Sequence, residues 1–270
     1  MTKKLALVVA LASLAGFAHA ANNAYDEADF SPYEPGNSWM NGQNGGFGFG
    51  SWILTDTNPG NGSQNGFFMG SSSANGNGNS GNINTAGVSW GMYANSGQTA
   101  SAVRPLTGGD LGIGQELDFK IDNGFLNGGS QEGFNLQTTG GANRLEFSFT
   151  GGNGDYMYTD NTGTHDSGIG FTADGLSIAF TLTGLDTYTM DVTPNGGGTT
   201  VLNGTLEGVG GTGIDQMRFF DVNGGNGQGS AGDFFVNQLE VVPEPSTIAA
   251  GVLAVVGMLA MRRRSAKKTA

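Results

Sequence analysis

Short runs in which apolar and polar residues alternate one by one recur along most of the chain, separated by Gly, Asn and Asp. The clearest covers 176–182, where Leu, Ile, Phe and Leu alternate with Ser, Ala and Thr. Similar alternation covers 116–122, 145–149 and 187–193. A period of two sends successive side chains to opposite faces of a strand. These runs therefore predict antiparallel strands with one face buried and one face in water.

Glycine content excludes a mainly helical protein. The chain has 50 Gly among its 270 residues, and each Gly inside a helix costs about 1 kcal/mol relative to Ala. Further runs bring the predicted total to about thirteen strands; they lie near 47–54, 66–70, 88–94, 101–106, 132–138, 168–172, 199–206, 214–222 and 233–241. So many strands curl or split into two packed layers. We predict an all-β fold over residues 21–241, a two-sheet antiparallel jelly roll.

Two segments of this domain fit the strand pattern poorly. The acidic stretch 22–37 is expected to drape over the domain or to be loose. Residues 71–84 are almost entirely Ser, Asn and Gly, which predicts a long surface loop or a disordered segment.

Several kinds of chemistry are excluded by composition. The chain has no Cys, which rules out disulfides, iron–sulfur clusters, thiolate zinc sites and a catalytic thiol. Its two histidines, His19 and His165, are too few for a multi-histidine metal site.

The first twenty residues have the pattern of a secretory signal peptide. Lys3 and Lys4 precede an apolar stretch at 5–14, and Ala18 and Ala20 form a small-x-small cleavage site. The pattern predicts export across the inner membrane by the Sec machinery, with the signal at 1–20 removed.

The last 29 residues, 242–270, have three parts in a fixed order. Pro243, Glu244 and Pro245 precede an apolar run, which predicts a transmembrane helix at 246–261, and a basic tail follows with Arg262, Arg263 and Arg264. The run is slightly short for a bilayer, which local thinning and snorkelling of the flanking basic residues can accommodate. Basic residues on one side predict a cytoplasmic tail and an exported preceding domain.

This tail resembles the PEP-CTERM sorting signal, which occurs on exported proteins of Gram-negative bacteria, particularly those that make exopolysaccharide. The resemblance implies recognition of Pro243, Glu244 and Pro245 by exosortase, a membrane protease-transpeptidase. It also implies transient anchoring in the membrane, followed by location at the cell surface or in the extracellular matrix. An ordinary single-pass anchor is the alternative.

The exported part is strongly acidic. Residues 22–242 hold 4 basic and 22 acidic residues, a net charge of −18. Such a surface repels nucleic acid and anionic lipid. Nucleic-acid binding is therefore excluded.

Four stretches of the domain, 99–105, 168–175, 193–198 and 214–220, are similar to the concanavalin-like sandwiches that often precede this sorting signal. Glycosidases of that fold carry carboxylates at alternate strand positions, and here Glu116 and Asp118 match two of them. The third position holds Lys120 or Ile121, so one partner of the catalytic pair is missing. We therefore expect no enzymatic activity, and the alternation is also that of an ordinary amphipathic strand.

Two binding features remain candidates. Structural Ca²⁺, which such sandwiches often carry, could be held by Asp221, Asn223 and Asp233, although Asn, Asp and Gly also suit tight turns. Trp39 lies in a Gly- and Asn-rich stretch and is a candidate for stacking on a sugar, whereas Trp52 and Trp90 lie in strand-like runs and are expected in the core.

The sequence as a whole predicts a non-enzymatic exported protein with a structural or adhesive role in a polysaccharide-rich envelope. A glycan-binding module is the first alternative, and a divergent glycoside hydrolase that uses Glu116 and Asp118 is the second.

Overall fold

The computed structural model describes residues 24–33, 38–58, 64–75 and 82–242. The predicted signal cleavage residues Ala18 and Ala20 lie outside these ranges. So do the predicted membrane helix 246–261 and the predicted sorting residues Pro243, Glu244, Pro245, Arg262, Arg263 and Arg264. Within the described ranges, no helix has the length and apolar character needed to cross a bilayer.

The described ranges contain fifteen β-strands and two short 3-10 turns, Ser72–Ala74 and Gly229–Gly232. The strands are β1 (Ala24–Asp26), β2 (Ile53–Asp56), β3 (Asn65–Gly70), β4 (Ser89–Ala94), β5 (Thr99–Pro105), β6 (Glu116–Asp122), β7 (Gln131–Gln137), β8 (Asn143–Thr150), β9 (Asp155–Asp160), β10 (Gly163–Gly170), β11 (Leu176–Leu182), β12 (Thr187–Pro194), β13 (Thr200–Thr205), β14 (Gln216–Val222) and β15 (Phe234–Val242). The predicted all-β fold is confirmed.

The strands form two antiparallel sheets. One has eight strands in the order β13-β12-β11-β6-β15-β4-β3, with β1 paired to β15. The other has seven in the order β10-β9-β8-β7-β14-β5-β2. The chain crosses between the sheets several times, as from β4 to β5 and from β5 to β6. This is the predicted two-sheet antiparallel sandwich, and the crossings are consistent with a jelly roll.

The core lies between the inner faces of the two sheets. Phe119 of the eight-stranded sheet packs edge-to-face against Phe134 and Phe219 of the seven-stranded sheet, with ring centroids 4.7 and 5.4 Å apart. Such edge-to-face pairs add to the stabilisation that burial already provides. The alternation seen in the sequence therefore places its apolar side chains as predicted.

The described part of the segment 22–37 packs on the domain, so the second of the two expectations, a loose segment, is wrong for these residues. β1 pairs with β15, and Asp26, Ala28 and Tyr33 are fully buried. The Ala28 amide donates a hydrogen bond of 3.0 Å to Asn237, 209 residues later in the chain. Such a distant partner leaves no local pattern, so the sequence could not show it.

The described parts of the segment 71–84 are also held in place. Ser72 and Asn75 are buried, and the Asn75 amide donates to the backbone oxygens of Asp122 and Asp233 at 3.2 and 3.1 Å. The polar composition of this segment therefore serves hydrogen bonding to the domain at these residues.

Candidate functional site

A groove of about 470 Å³ lies on the outer face of the eight-stranded sheet. Its floor is β11, whose outward side chains at this point are Ser177 and Ala179. The flanking strands β6 and β12 carry longer outward side chains, including Lys120 and Asp191. The groove exists because a strand with small outward residues lies between two strands with larger ones.

A row of paired residues crosses the sheet through this groove, at right angles to the strands. Directly opposed residues of antiparallel strands project from the same face, so the whole row faces outward. From one end to the other it is Phe47, Tyr25, Glu240, Asp118, Ala179, Asp191 and Val201.

Four of the thirteen described residues that line the groove carry carboxylates: Glu116, Asp118, Asp191 and Glu240. Asp118 lies directly opposite Glu240, and Glu116 is two residues before Asp118 on the same strand. Burial, together with the negative charges of Glu116 and Glu240, raises the pKa of Asp118 to about 7. Glu116 accepts a hydrogen bond of 3.1 Å from the Thr181 hydroxyl. A carboxyl group with a pKa near neutrality can either donate or accept a proton at physiological pH.

Two aromatic residues stand at one end of the row. Tyr25 lines the groove, and burial with the nearby Glu27 carboxylate raises the pKa of Tyr25 to about 12, so its hydroxyl stays protonated. Phe47 forms the next pair with Tyr25 and is 58 % exposed. An exposed ring beside a polar groove is a surface on which a sugar ring can stack.

Trp39 does not provide such a surface, and that interpretation of the sequence is wrong. Its side chain is only 2 % exposed, and it packs edge-to-face against Trp52 and Phe67 at 4.9 and 5.4 Å between ring centroids. The expectation that Trp52 and Trp90 belong to the core is confirmed, since both are fully buried. The Gly- and Asn-rich surroundings of Trp39 suggested exposure, but a neighbouring sheet covers the ring.

The predicted calcium ligands occupy one end of the sandwich and are only partly suited to that role. Asp221 is fully buried, and Asp233 is 9 % exposed. The Asn223 side-chain oxygen accepts a hydrogen bond from the Gly97 amide at 2.5 Å, and its amide donates to the Gly129 carbonyl at 3.3 Å. Asn223 therefore ties loops together. Among the described residues, no group of three or more His, Asp or Glu side chains is arranged to hold a metal ion.

Sequence reasoning selected Glu116 and Asp118 but missed the rest of the groove. The alternation predicts that Asp191 points outward from its strand. Nothing in the sequence shows that only β11 separates this strand, β12, from β6. Tyr25 and Glu240 lie near opposite ends of the domain's sequence, although they are paired in the sheet. Only the strand order brings these carboxylates and rings into one row.

No protein-family model and no curated protein sequence matches this chain. Three solved structures to which it is similar are a galectin of Caenorhabditis elegans, a carbohydrate esterase from the Shiga toxin-encoding bacteriophage phi24B and an alginate lyase of Klebsiella pneumoniae. Their identities are 14, 15 and 11 %, with TM-scores of 0.35, 0.44 and 0.39. The matches cover 52, 70 and 62 % of this chain and 89, 88 and 86 % of those chains. Similarities of this degree assign no activity or ligand.

Proposed function

We propose that this protein is a carbohydrate-binding protein whose ligand occupies the groove on the eight-stranded sheet. The observation that carries the proposal is the row across that groove, in which exposed aromatic surface at Phe47 and Tyr25 continues into a line of carboxylates. Carboxylate oxygens accept hydrogen bonds from hydroxyl groups, and an aromatic ring packs against the apolar face of a sugar.

The charge of the groove limits which carbohydrates fit. Glu116, Asp118, Asp191 and Glu240 line it, and Lys120 is the one basic side chain among the described lining residues. An anionic polysaccharide would be repelled by these carboxylates. The ligand class that matches is therefore a neutral glycan or one with amino groups.

The experiment that tests this proposal is an array of neutral, amino-containing and acidic glycans probed with the full-length protein. We expect retention on neutral or amino-containing glycans and none on uronate polymers. Binding to no glycan, or to uronate polymers alone, would contradict the proposal.

A divergent glycoside hydrolase is a second candidate, favoured by one observation. Burial raises the pKa of Asp118 to about 7, and the negative charges of Glu116 and Glu240 add to the shift. Glu240 thus supplies, from another strand, a third carboxylate that the Glu116-x-Asp118 run itself lacks. One protonated and one ionised carboxyl group is the pairing that glycoside hydrolysis requires.

Hydrolysis and binding can be separated with two isosteric variants. If the protein cleaves a soluble β-glucan, Glu116→Gln and Asp118→Asn should each abolish cleavage while glycan retention persists. If wild type shows no cleavage, or if both variants still cleave, this candidate is wrong.

We further propose that the protein is exported, sorted through Pro243, Glu244 and Pro245, and retained in a polysaccharide-rich surface layer. This proposal is supported by the order of the three parts of the tail and by the signal pattern at 1–20. Mass spectrometry of the mature protein tests it. We expect loss of residues 1–20 and a new C-terminus near Pro243, whereas a mass that retains Arg262 to Arg264 would favour a plain anchor.

A further inference from the structure

Two carboxylates face each other inside the sandwich, away from the groove. Glu132 of β7 and Asp221 of β14 are directly opposed in the register of these strands. Glu132 lies two residues before the core residue Phe134, and Asp221 lies two residues after the core residue Phe219. Because side chains two residues apart on a strand share a face, both carboxylates point between the sheets. Glu132 is 1 % exposed and Asp221 is fully buried.

Three of their four carboxylate oxygen atoms lack hydrogen-bond partners. Neither carboxylate oxygen of Glu132 has one, and neither does Oδ2 of Asp221, whereas Oδ1 of Asp221 accepts from the Gly224 amide at 2.8 Å. Buried charges are ordinarily paired or bound to a metal ion, because an isolated one loses its hydration without compensation.

No basic side chain among the described residues compensates these charges. Arg104 pairs with Asp26, and Arg144 pairs with Asp186. Arg218 donates to Ser101 and Asn135, while Lys120 lines the groove on the outer face of the other sheet. The charged groups that act on Glu132 are instead the acidic residues Asp122, Asp221 and Asp233.

Three oxygen atoms converge beside Gly224. A methyl group on that glycine would lie 2.5 Å from the Gly232 carbonyl oxygen and 2.6 Å from Asp221 Oδ1, and it would also collide with Glu132 Oε1. The absence of a side chain at residue 224 therefore lets two carboxylates and a carbonyl share one small space. Oxygen atoms gathered from side chains and backbone are the donor set that Ca²⁺ prefers.

We propose that Glu132 and Asp221, together with the Gly232 carbonyl oxygen, bind a divalent cation, and that the cation is Ca²⁺. The two carboxylates balance its charge, and the absence of nitrogen or sulfur donors disfavours zinc. Water molecules complete the coordination. The site keeps Asp221 from the sequence prediction and replaces Asn223 with Glu132 as a ligand.

Protons compete with the cation at this site. Burial, followed by the charges of Asp221 and Asp233, raises the pKa of Glu132 well above its usual range. Burial raises the pKa of Asp221 as well, with Asp233 adding to the shift and the hydrogen bond from the Gly224 amide opposing it. Since the ligands must lose their protons, cation binding strengthens as the pH rises.

The cation would fasten three loops at this end of the sandwich. The Gly225 amide donates to the Ala94 carbonyl at 2.9 Å, and the Phe125 amide donates to the Ala231 carbonyl at 2.8 Å. Asn127 donates to the Asn226 carbonyl at 2.7 Å. Loops 94–98, 123–130 and 223–233 thus meet around Glu132 and Asp221, and binding to the folded state alone stabilises the fold by mass action.

Calorimetric titration of the full-length, EDTA-treated protein with CaCl₂ at about pH 7.5 tests the proposal. We expect one Ca²⁺ per chain, a Tm raised by several degrees in Ca²⁺ relative to EDTA, and weaker binding at about pH 5.5. In Glu132→Gln, we expect at least a tenfold loss of affinity and no Tm increase. The control Glu146→Gln removes a carboxylate from the outer face of the same sheet and should keep both responses.

Several outcomes would overturn the proposal. One is a wild-type protein that releases or absorbs no heat on titration with CaCl₂ and has the same Tm in Ca²⁺ and in EDTA. In that case a gain in Tm at pH 8 on Glu132→Gln would indicate a proton shared by the two carboxyl groups. An undiminished calcium response in Glu132→Gln would place the ion elsewhere. If Glu132→Gln does not fold, Asp221→Asn, which keeps an acceptor oxygen, provides the same comparison.

Discussion

Arg104 of β5 and Asp26 of β1 form an ion pair in which both side chains are fully buried. Tyr33 donates a hydrogen bond of 2.9 Å to the same Asp26 oxygen, and the Arg104 guanidinium lies 4.9 Å from the centre of the Trp52 ring. Burial nevertheless raises the pKa of Asp26 to about 6, against the opposing effect of Arg104. This pair joins the N-terminal strand to the seven-stranded sheet and closes the core on that side.

Arg104→Ala is expected to destabilise the domain by about 3–5 kcal/mol, because it leaves the Asp26 charge buried without its partner. Urea unfolding followed by tryptophan fluorescence at pH 7.5 measures the loss. Arg218→Ala is the control, since Arg218 is only half-buried and hydrogen-bonds to neutral side chains. Equal losses for the two variants would show that the ion pair has no special role.

Trp39→Ala is expected to destabilise the domain by about 3–5 kcal/mol, the range for removing a large aromatic side chain from a core. Phe47→Ala should change stability by only about 0.5 kcal/mol, because Phe47 is largely exposed. Glycan retention should show the reverse order, with loss confined to Phe47→Ala when both proteins are folded. Retention that depends on Trp39 in the folded state would restore the interpretation based on sequence.

Ala179→Leu is expected to abolish glycan retention, because a larger side chain at residue 179 fills the floor of the groove. Asn203→Leu is a matched control, since Asn203 is exposed on β13, two strands away from β11, and does not line the groove. Affinity electrophoresis in glycan-containing gels compares the two. Similar migration of both variants would place the ligand outside the groove.

Asp122→Asn should stabilise the protein above neutral pH and flatten its pH dependence. Burial, with a contribution from the charge of Asp174, raises the pKa of Asp122 to about 7, although Ser72 and Asn75 oppose the shift. A folded carboxyl with a raised pKa holds a proton that the unfolded chain releases, so stability falls as the pH rises from about 4 to 7. The loss is on the order of a few kcal/mol, at about 1.4 kcal/mol per pKa unit.

Urea midpoints between pH 5 and pH 8, measured in EDTA, test this expectation. Wild type should lose stability over that interval, and Asp122→Asn should lose distinctly less. A variant with the same slope as wild type would mean that other carboxyl groups carry the dependence. Asp118→Asn serves as the comparison, because the pKa of Asp118 is also raised to about 7 but its carboxyl lies at the groove.

The strand pattern could be predicted because it is local. The alternation at Leu176–Leu182 and Glu116–Asp122 reflects the two faces of single strands, and water on one side and core on the other impose it residue by residue. β9 is not predicted, because the run Asp155–Asp160 begins and ends with Asp and lacks a clear alternation of apolar and polar residues. It belongs to a hairpin with β10, whose register pairs His165 with Tyr158.

Composition and alternation establish from the sequence that residues 22–242 form a glycine-rich, acidic, strand-built domain, because both act over a few neighbouring residues. The candidate sites depend on the packed structure. It placed Tyr25 opposite Glu240 and Glu132 opposite Asp221, and it buried Trp39. Pairing between distant strands follows from the order and register of the sheets, and these arise from packing summed over the whole core.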